Sequence, residues 1–393
     1  MYNFNYYTPT KVVFGKNTED KCGELVKEQG CKKVMIHYGS GSVKRTGLLD
    51  KVKASLDEAK IDYIELGGAV PNPRLSLVYE GIELAKKEGV DFILAVGGGS
   101  AIDSAKAIGY GVANEGDVWD FYDKKRQATG CLPIGVVLTI AATGSEMSSS
   151  SVITKEEGMF KRGATGEAFR PKFTIMNPAL TQTLPAYQTA CGITDIMAHL
   201  YERYLTNTEE VEVTDRMIEG LLLTMIHEGP RVIADPDNYQ ARANIMWAGM
   251  MAHNNSCGVG RTQDWTSHNI EHELSALYDC AHGAGLAVVM PAVFTYTLEH
   301  NVMRFAQAAV RVWGCQMDFA DPKRTALEGI EALRNFLISI GMPKNFAELG
   351  AKEEDIEKLA HTCCYGDVNT GTVEGFATLD QKDVENIYKL MVF

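Results

Sequence analysis

Hydrophobic and polar positions change rhythm near residue 184. Up to there, short β-branched or aliphatic runs at residues 12–14, 33–38, 61–66, 91–96, 132–139 and 172–176 alternate with helical spacing over 17–29, 46–59 and 75–88. Near-continuous apolar runs, each followed by a helix-length amphipathic stretch, predict a parallel sheet covered on both faces. The more polar runs 151–154 and 158–164 predict a hairpin, and Pro71-Asn-Pro73 a turn. Beyond a linker at 178–185, strand patterns become scarce. Helical periodicity dominates over 187–205, 211–228, 239–254, 264–277, 287–298 and 302–312. The pattern predicts an α/β domain with a Rossmann-like parallel sheet over residues 1–184 and an all-helical domain over 185–393.

Composition narrows the class. A chain of 393 residues, 45% hydrophobic, is long enough to bury two or three separate cores. Its formal charge of -13 opposes binding to nucleic acid or to acidic membranes, because the long-range field repels both. The opening Met1-Tyr-Asn-Phe lacks the basic-then-apolar order of a secretory signal, and no run is apolar enough to span a bilayer. Nine cysteines without a C-x-x-C pair fit reduced thiols, so a cytoplasmic setting is expected.

Three of the nine histidines lie close together, His268, His272 and His282. His268 and His272 are four apart and share one helix face; a Tyr-Asp-Cys break before His282 allows the chain to turn back. Asp195 and His199 repeat the same spacing upstream. Two such pairs from two helices supply the carboxylate and imidazole ligands that a divalent ion takes, though spacing does not choose between His268 and His272. In the other half, Gly97-Gly-Gly-Ser-Ala-Ile-Asp-Ser-Ala-Lys106 stands where a buried strand hands over to a helix. Glycines there let a pyrophosphate approach the first free amides of that helix. Ser100 and Asp103 also have the spacing of a capping box, an equally local explanation. A second loop of small residues, Thr139-Ile-Ala-Ala-Thr-Gly-Ser-Glu146, falls at the same sheet edge.

Taken in order, Pro71-Asn-Pro73, Gly97-Gly-Gly-Ser-x-x-Asp-x-x-Lys106, Thr139-x-x-x-Thr-Gly-Ser-Glu146, Asp195-x-x-x-His199 and His268-x-x-x-His272 with His282-Gly283 resemble the iron-containing (group III) alcohol dehydrogenases. The likeness runs from residue 4 to about 300 and is closest to their butanol dehydrogenase and NADPH-dependent aldehyde reductase branch. That resemblance implies a dehydroquinate synthase-like architecture, a homodimer, and hydride transfer between a nicotinamide cofactor and a short- to medium-chain primary alcohol or aldehyde, such as butanol and butyraldehyde. It implies Asp195, His199, His268 and His282 as ligands of one Fe2+ or Zn2+, and His272 as the histidine beside the nicotinamide on the path of the proton. For the cofactor it implies Gly98, Gly99, Ser100 and Asp103 around the phosphates, Asn72 near the adenosine, Thr139, Thr143 and Ser148 toward the nicotinamide, and Lys161 reaching the cofactor.

Cofactor choice has a physical handle. A carboxylate after an early strand would hold the ribose of NAD and repel a 2'-phosphate. Tyr38-Gly-Ser-Gly-Ser-Val-Lys-Arg45 has none, and Ser40, Ser42 and Lys44 offer hydroxyls and a cation, which favours NADP(H). Lys44 and Arg45 also read as solvated helix-end residues. Two positions depart from the family pattern: Ser40 replaces a common glycine, and Asn177 a common aspartate. Met147, Cys257, Trp265 and the stretch 363–369 are suggested as substrate walls. A lyase of the dehydroquinate synthase type would need Lys and Arg clustered beside the histidines, and 268–282 has none. A non-catalytic nucleotide- or metal-binding regulator would keep the same residues without turnover.

Overall fold

The structure, a computed structural model, describes residues 1–366 and 370–393. Asp367, Val368 and Asn369, part of the stretch suggested as pocket lining, lie outside the described residues. The chain divides into two units, one formed by Tyr7–Leu184 and the other by Met1–Tyr6 with Pro185–Phe393.

In the first unit, strands β1 (Lys11–Phe14), β2 (Lys33–Gly39), β3 (Asp62–Ala69), β4 (Phe92–Gly97) and β5 (Ile134–Leu138) alternate with helices α1 (Cys22–Glu28), α2 (Ser42–Arg45), α3 (Leu48–Ala59), α4 (Leu75–Glu88), α5 (Gly99–Ala113) and α6 (Trp119–Tyr122). The antiparallel hairpin β6 (Ser150–Lys155) and β7 (Phe160–Thr165) precedes β8 (Phe173–Met176). Six strands pair in parallel in the order β1-β8-β5-β4-β2-β3. Every residue of β4 and β5 is buried, as the unbroken apolar runs required of central strands.

One face packs Val34, Ile36, Leu94, Val96, Val137 and Ile175 against Val26, Val52 and Leu56 of the helices. Phe92 stacks on Phe173 at 5.9 Å, and Gly135 makes room for that ring, since a Cβ there would come within 2.4 Å of it. The order also reverses at β2, whose neighbours are β3 on one side and β4 on the other. Such a switch opens a crevice beyond the carboxyl ends of the strands, here the loops after Gly39 and Gly97.

The second unit contains α7 (Ala186–Tyr204), α8 (Glu212–Ala234), α9 (Tyr239–His253), α10 (Thr266–Tyr278), α11 (His282–Thr297), α12 (Val302–Trp313), α13 (Pro322–Ser339), α14 (Phe346–Leu349), α15 (Ile356–Tyr365) and α16 (Gln381–Lys389). The unit is helical as expected, and β9 (Thr372–Val373) and β10 (Leu379–Asp380) add a short antiparallel pair to it. One expectation is corrected: the first six residues do not belong with the sheet, because the Tyr2 amide donates to the Gly260 carbonyl at 2.8 Å, which ties the N-terminal segment to the helices. Helix α11 also begins five residues earlier than periodicity indicated. Asp279 adopts a left-handed φ of 51°, ending α10, and extended Ala281 restarts the chain so that His282 opens the next helix. Gly283 lies so close to Cys191 that a Cβ would fall 2.1 Å from its carbonyl oxygen, which locks the start of α11 onto α7.

Candidate metal and nucleotide sites

Helix α7 places Asp195 and His199 one turn apart, α10 brings His268, and the first residue of α11 is His282. All four converge. Asp195 Oδ1 is 3.4 Å from His199 Nδ1, 3.5 Å from His268 Nε2 and 3.8 Å from His282 Nε2. The ring of His268 lies 4.6 Å from that of His199 and 5.2 Å from that of His282. Buried Asp195 Oδ1, His199 Nδ1 and His268 Nε2 make no hydrogen bond. Lone pairs gathered in this way, away from water, are costly unless a cation satisfies them.

The ligand atoms of Asp195, His268 and His282 lie within 4.8 Å of one another, a spread suited to one ion. His199 is held well below the usual imidazole range, first by burial and then by neighbouring His253 and His268, so it presents a neutral ring. At His268 burial also lowers the pKa, but Glu202 and Asp195 outweigh it and push it up to about 9. A proton there and a divalent ion compete for the same nitrogen. The donor set therefore fits a divalent metal.

His272 occupies a different place. Its ring stands 6.4 Å from His268, nearly perpendicular, and 5.6 Å from His282, grouped with Glu271 and His282 rather than with Asp195. Spacing left the two histidines equivalent; the structure turns His268 toward Asp195 and groups His272 with Glu271 and His282. Four residues not singled out from the sequence surround the cluster. Glu202 pairs with His268 Nδ1, and Glu271 with His282 Nδ1. The buried guanidinium of Arg203, depressed to about 10 by desolvation, donates to the His199 carbonyl at 2.7 Å and lies over the Trp265 ring. The His253 ring lies tilted against that of His199, 4.2 Å between centres. A signal for Glu202 existed: Asp195, His199 and Glu202 fall at 0, 4 and 7 along α7, one face of a helix. Among the suggested substrate walls, Trp265 packs 5.3 Å from His268, while Cys257 is buried.

At the carboxyl edge of the parallel sheet, Gly98 and Gly99 open α5 with no side chain capping it, so the capping box suggested by Ser100 and Asp103 does not form. Those first amides remain available to a phosphate. The glycines also serve the protein itself, for a Cβ on Gly98 would meet Ile140 at 2.1 Å and one on Gly99 would meet Thr143 at 2.5 Å. Thr139 follows β5 directly, its amide donating to the Gly97 carbonyl at 3.0 Å.

Asp103 points inward instead. It accepts from Ser145 Oγ at 2.5 Å and from the Val152 amide at 3.0 Å. Fully buried Lys106 donates to Ser145 Oγ, the Ser148 carbonyl and Oγ, and the Ser150 carbonyl at 2.8–3.2 Å. Burial lowers the Lys106 pKa to about 8 and raises that of Asp103, so desolvation outweighs their mutual attraction at both groups. Ser148 is therefore held within the protein by Lys106.

Asn72, at a left-handed φ of 53°, accepts from Lys161 Nζ at 3.0 Å, so two residues far apart in sequence meet. Ser40 and Ser42 are exposed at the end of β2. Lys44 lies over the Tyr38 ring, 5.1 Å from its centre. Asn177, unexplained from sequence, donates to buried Glu19 at 2.9 Å and accepts from the Ala179 amide. An aspartate there would set two carboxylates against each other.

A doubly wound sheet with an uncapped helix at its switch point, and a helical unit with a buried carboxylate–imidazole cluster, define a class of oxidoreductase that pairs a nicotinamide nucleotide with a divalent metal. The chain belongs to the iron-containing alcohol dehydrogenases. The model of that family, described as iron-containing alcohol dehydrogenase, matches residues 9–178, and that of its C-terminal part, the Fe-containing alcohol dehydrogenase family, matches 189–392. The chain is 41% identical to the probable NADH-dependent butanol dehydrogenase 1 of Bacillus subtilis over 99% of each chain. It is 36% identical to the NADPH-dependent aldehyde reductase YqhD of Escherichia coli over 91% of this chain and 92% of that one. The crystal structure of NADH-dependent butanol dehydrogenase A from Thermotoga maritima superimposes with a TM-score of 0.97 at 41% identity, covering 100% of this chain and 99% of that one. Among the described residues, no helix is long and apolar enough to cross a membrane.

Proposed function

We propose that this alcohol dehydrogenase uses NADP(H) to interconvert short- to medium-chain primary alcohols and aldehydes, such as butanol and butyraldehyde. Asp195, His199, His268 and His282 would hold one Fe2+ or Zn2+, both of which accept carboxylate and imidazole. The single observation that carries the reading is the convergence of these side chains around the unpartnered Asp195 oxygen. When bound, a divalent ion acidifies an alcohol and polarises an aldehyde carbonyl, and the nicotinamide gives or takes the hydride.

The chain's own residues do the rest. Half-buried His272, one turn beyond His268, is positioned to hold and pass the alcohol proton, with an imidazole's intrinsic suitability for transfer near neutrality. Trp265 supplies an apolar wall beside the ligand rings. In the other unit, the amides of Gly99 and Ser100 would take the pyrophosphate and Gly98 would allow its close approach, with Asn72, Lys161, Thr139 and Thr143 along the nucleotide. Asp103 and Ser148 would act from behind, by holding that surface in shape. A homodimer, as the family resemblance implies, belongs to the same proposal.

Relatives named for NADH and for NADPH are both close, so the cofactor preference rests on the loop after β2. Its exposed Ser40 and Ser42 and the neighbouring Lys44 suit a 2'-phosphate. Glu65, a carboxylate whose charge reaches Lys44, is occupied by Lys53 and the Tyr38 hydroxyl. Initial rates with butyraldehyde test this: NADPH is expected to be oxidised much faster than NADH at equal concentration. Equal or reversed rates would return the loop to NAD(H) without touching the metal assignment.

A further inference from the structure

We infer that Glu202 is a positioning residue that keeps a proton on His268 Nδ1, so that Nε2, which faces Asp195, is the nitrogen left to a metal. This rests on the metal reading above and deepens it. Glu202 is fully buried on α7, on the same face as Asp195 and His199. It spends three acceptors on one short segment. Its backbone carbonyl takes the Asp264 amide at 2.7 Å, Oε1 takes the His268 backbone amide at 3.0 Å, and Oε2 pairs with His268 Nδ1.

His268 is the third residue of α10, and Trp265 at the N-cap offers no side-chain hydrogen bond. A carboxylate from α7 thus caps α10 from outside, where the helix dipole also favours a negative charge. The same carboxylate demands a proton on Nδ1, because an ionised oxygen only accepts. With Nδ1 protonated, Nε2 carries the lone pair. Helix cap and ligand orientation are therefore set by one group, and α7 contributes a metal ligand and the orienter of another ligand from the same face.

Glu271 makes an informative contrast. It pairs with His282 Nδ1 and accepts from Ser275 Oγ. A glutamine at 271 satisfies both, its oxygen accepting from the ring and its amide nitrogen donating to the hydroxyl, which is also an acceptor. At 202 a glutamine meets two donors, the His268 backbone N–H and Nδ1–H. Either it leaves its own N–H against the backbone N–H, or it donates to Nδ1 and drives the proton onto Nε2. Both substitutions remove one negative charge near the cluster; only Glu202→Gln reverses the hydrogen-bond pattern at a ligand.

The test is titration of chelator-treated protein with Co2+, followed by visible absorption and by competition with a chelator, for wild type, Glu202→Gln and Glu271→Gln. Glu202→Gln is expected to weaken cobalt binding about 10- to 100-fold. Glu271→Gln, which still offers His282 Nδ1 an acceptor, is expected to lose clearly less, with both variants keeping wild-type far-ultraviolet circular dichroism. Equal affinity of Glu202→Gln and wild type overturns the inference, as does an equal loss in both variants, which would make charge rather than donor pattern responsible. If Glu202→Gln does not fold, nitrogen-15 spectra of histidine-labelled, Zn2+-loaded wild type decide instead. A His268 proton on Nδ1 with metal on Nε2 is expected, and the opposite tautomer overturns the inference. Wild type that takes up no cobalt would instead remove the metal site itself, an outcome distinct from all of these.

Discussion

Asp195 and Glu202 are carboxylates buried on one face of the same helix, yet their surroundings give them different tasks. Asp195 faces imidazole nitrogens and leaves an oxygen without a hydrogen bond, whereas Glu202 has both oxygens engaged by donors. The difference comes from what α10 brings opposite each. The same logic separates His268 from His272, which helical spacing made equivalent and which only the approach to Asp195 distinguishes. His268→Ala is expected to lose bound metal and activity together, while His272→Ala keeps the metal and turns over slowly. Elemental analysis beside steady-state rates checks this, and metal loss confined to His272→Ala would exchange their roles.

At the scale of elements, α5 and the loop that follows β5 form one device. Gly98 and Gly99 let Ile140 and Thr143 lie on the start of the helix, and Asp103 and Lys106 bind the far end of the loop. Gly99→Val is expected to displace Thr143 and weaken cofactor binding at least tenfold with little change in metal content, measured by fluorescence titration and elemental analysis. The glycines were legible in the sequence as a strand-to-helix turn. Their second use, and the inward direction of Asp103, were not, because each depends on a loop some forty residues away.

Lys106 adds a pH signature. Its folded pKa of about 8 lies below the 10.5 of the free side chain, so between these values the unfolded chain binds more protons and stability rises with pH. Lys106→Met lacks this contribution. The stability difference between wild type and Lys106→Met should therefore move in favour of wild type by up to about 3 kcal/mol from pH 8 to pH 10.5. Denaturant titrations across that range check it, and a flat difference would show that the amine is not desolvated.

For the whole molecule, the two units carry separate clusters, with the proposed metal ligands in Pro185–Phe393 and the glycine loop in Tyr7–Leu184. A ligand bound to the native state stabilises it by about 2.7 kcal/mol at a hundred times its Kd. Chelation is therefore expected to lower the unfolding temperature and to speed hydrogen exchange first in α7, α10 and the start of α11, leaving β4 and β5 as protected as before. An exchange increase confined to the parallel sheet would place the ion elsewhere. The change of periodicity from strands to helices falls near Leu184, the last residue of the first unit. The attachment of Met1–Tyr6 to the helical unit was not legible, because that segment has no periodicity and is held by the backbone contact of Tyr2 with Gly260.

What the sequence by itself determined is whatever depends on neighbours along the chain: the buried strands β4 and β5, the helix faces that pair Asp195 with His199 and His268 with His272, and the glycines at a strand-to-helix turn. Local sterics and the 2.0 and 3.6 periods act within a few residues, so they leave their mark in a short window. Tertiary structure alone decided which imidazole meets Asp195, which carboxylate orients it, and which loop the glycines receive. Coulombic and hydrogen-bond energies depend on distance through space, and residues 66 positions apart, such as Glu202 and His268, come within reach only when two helices pack.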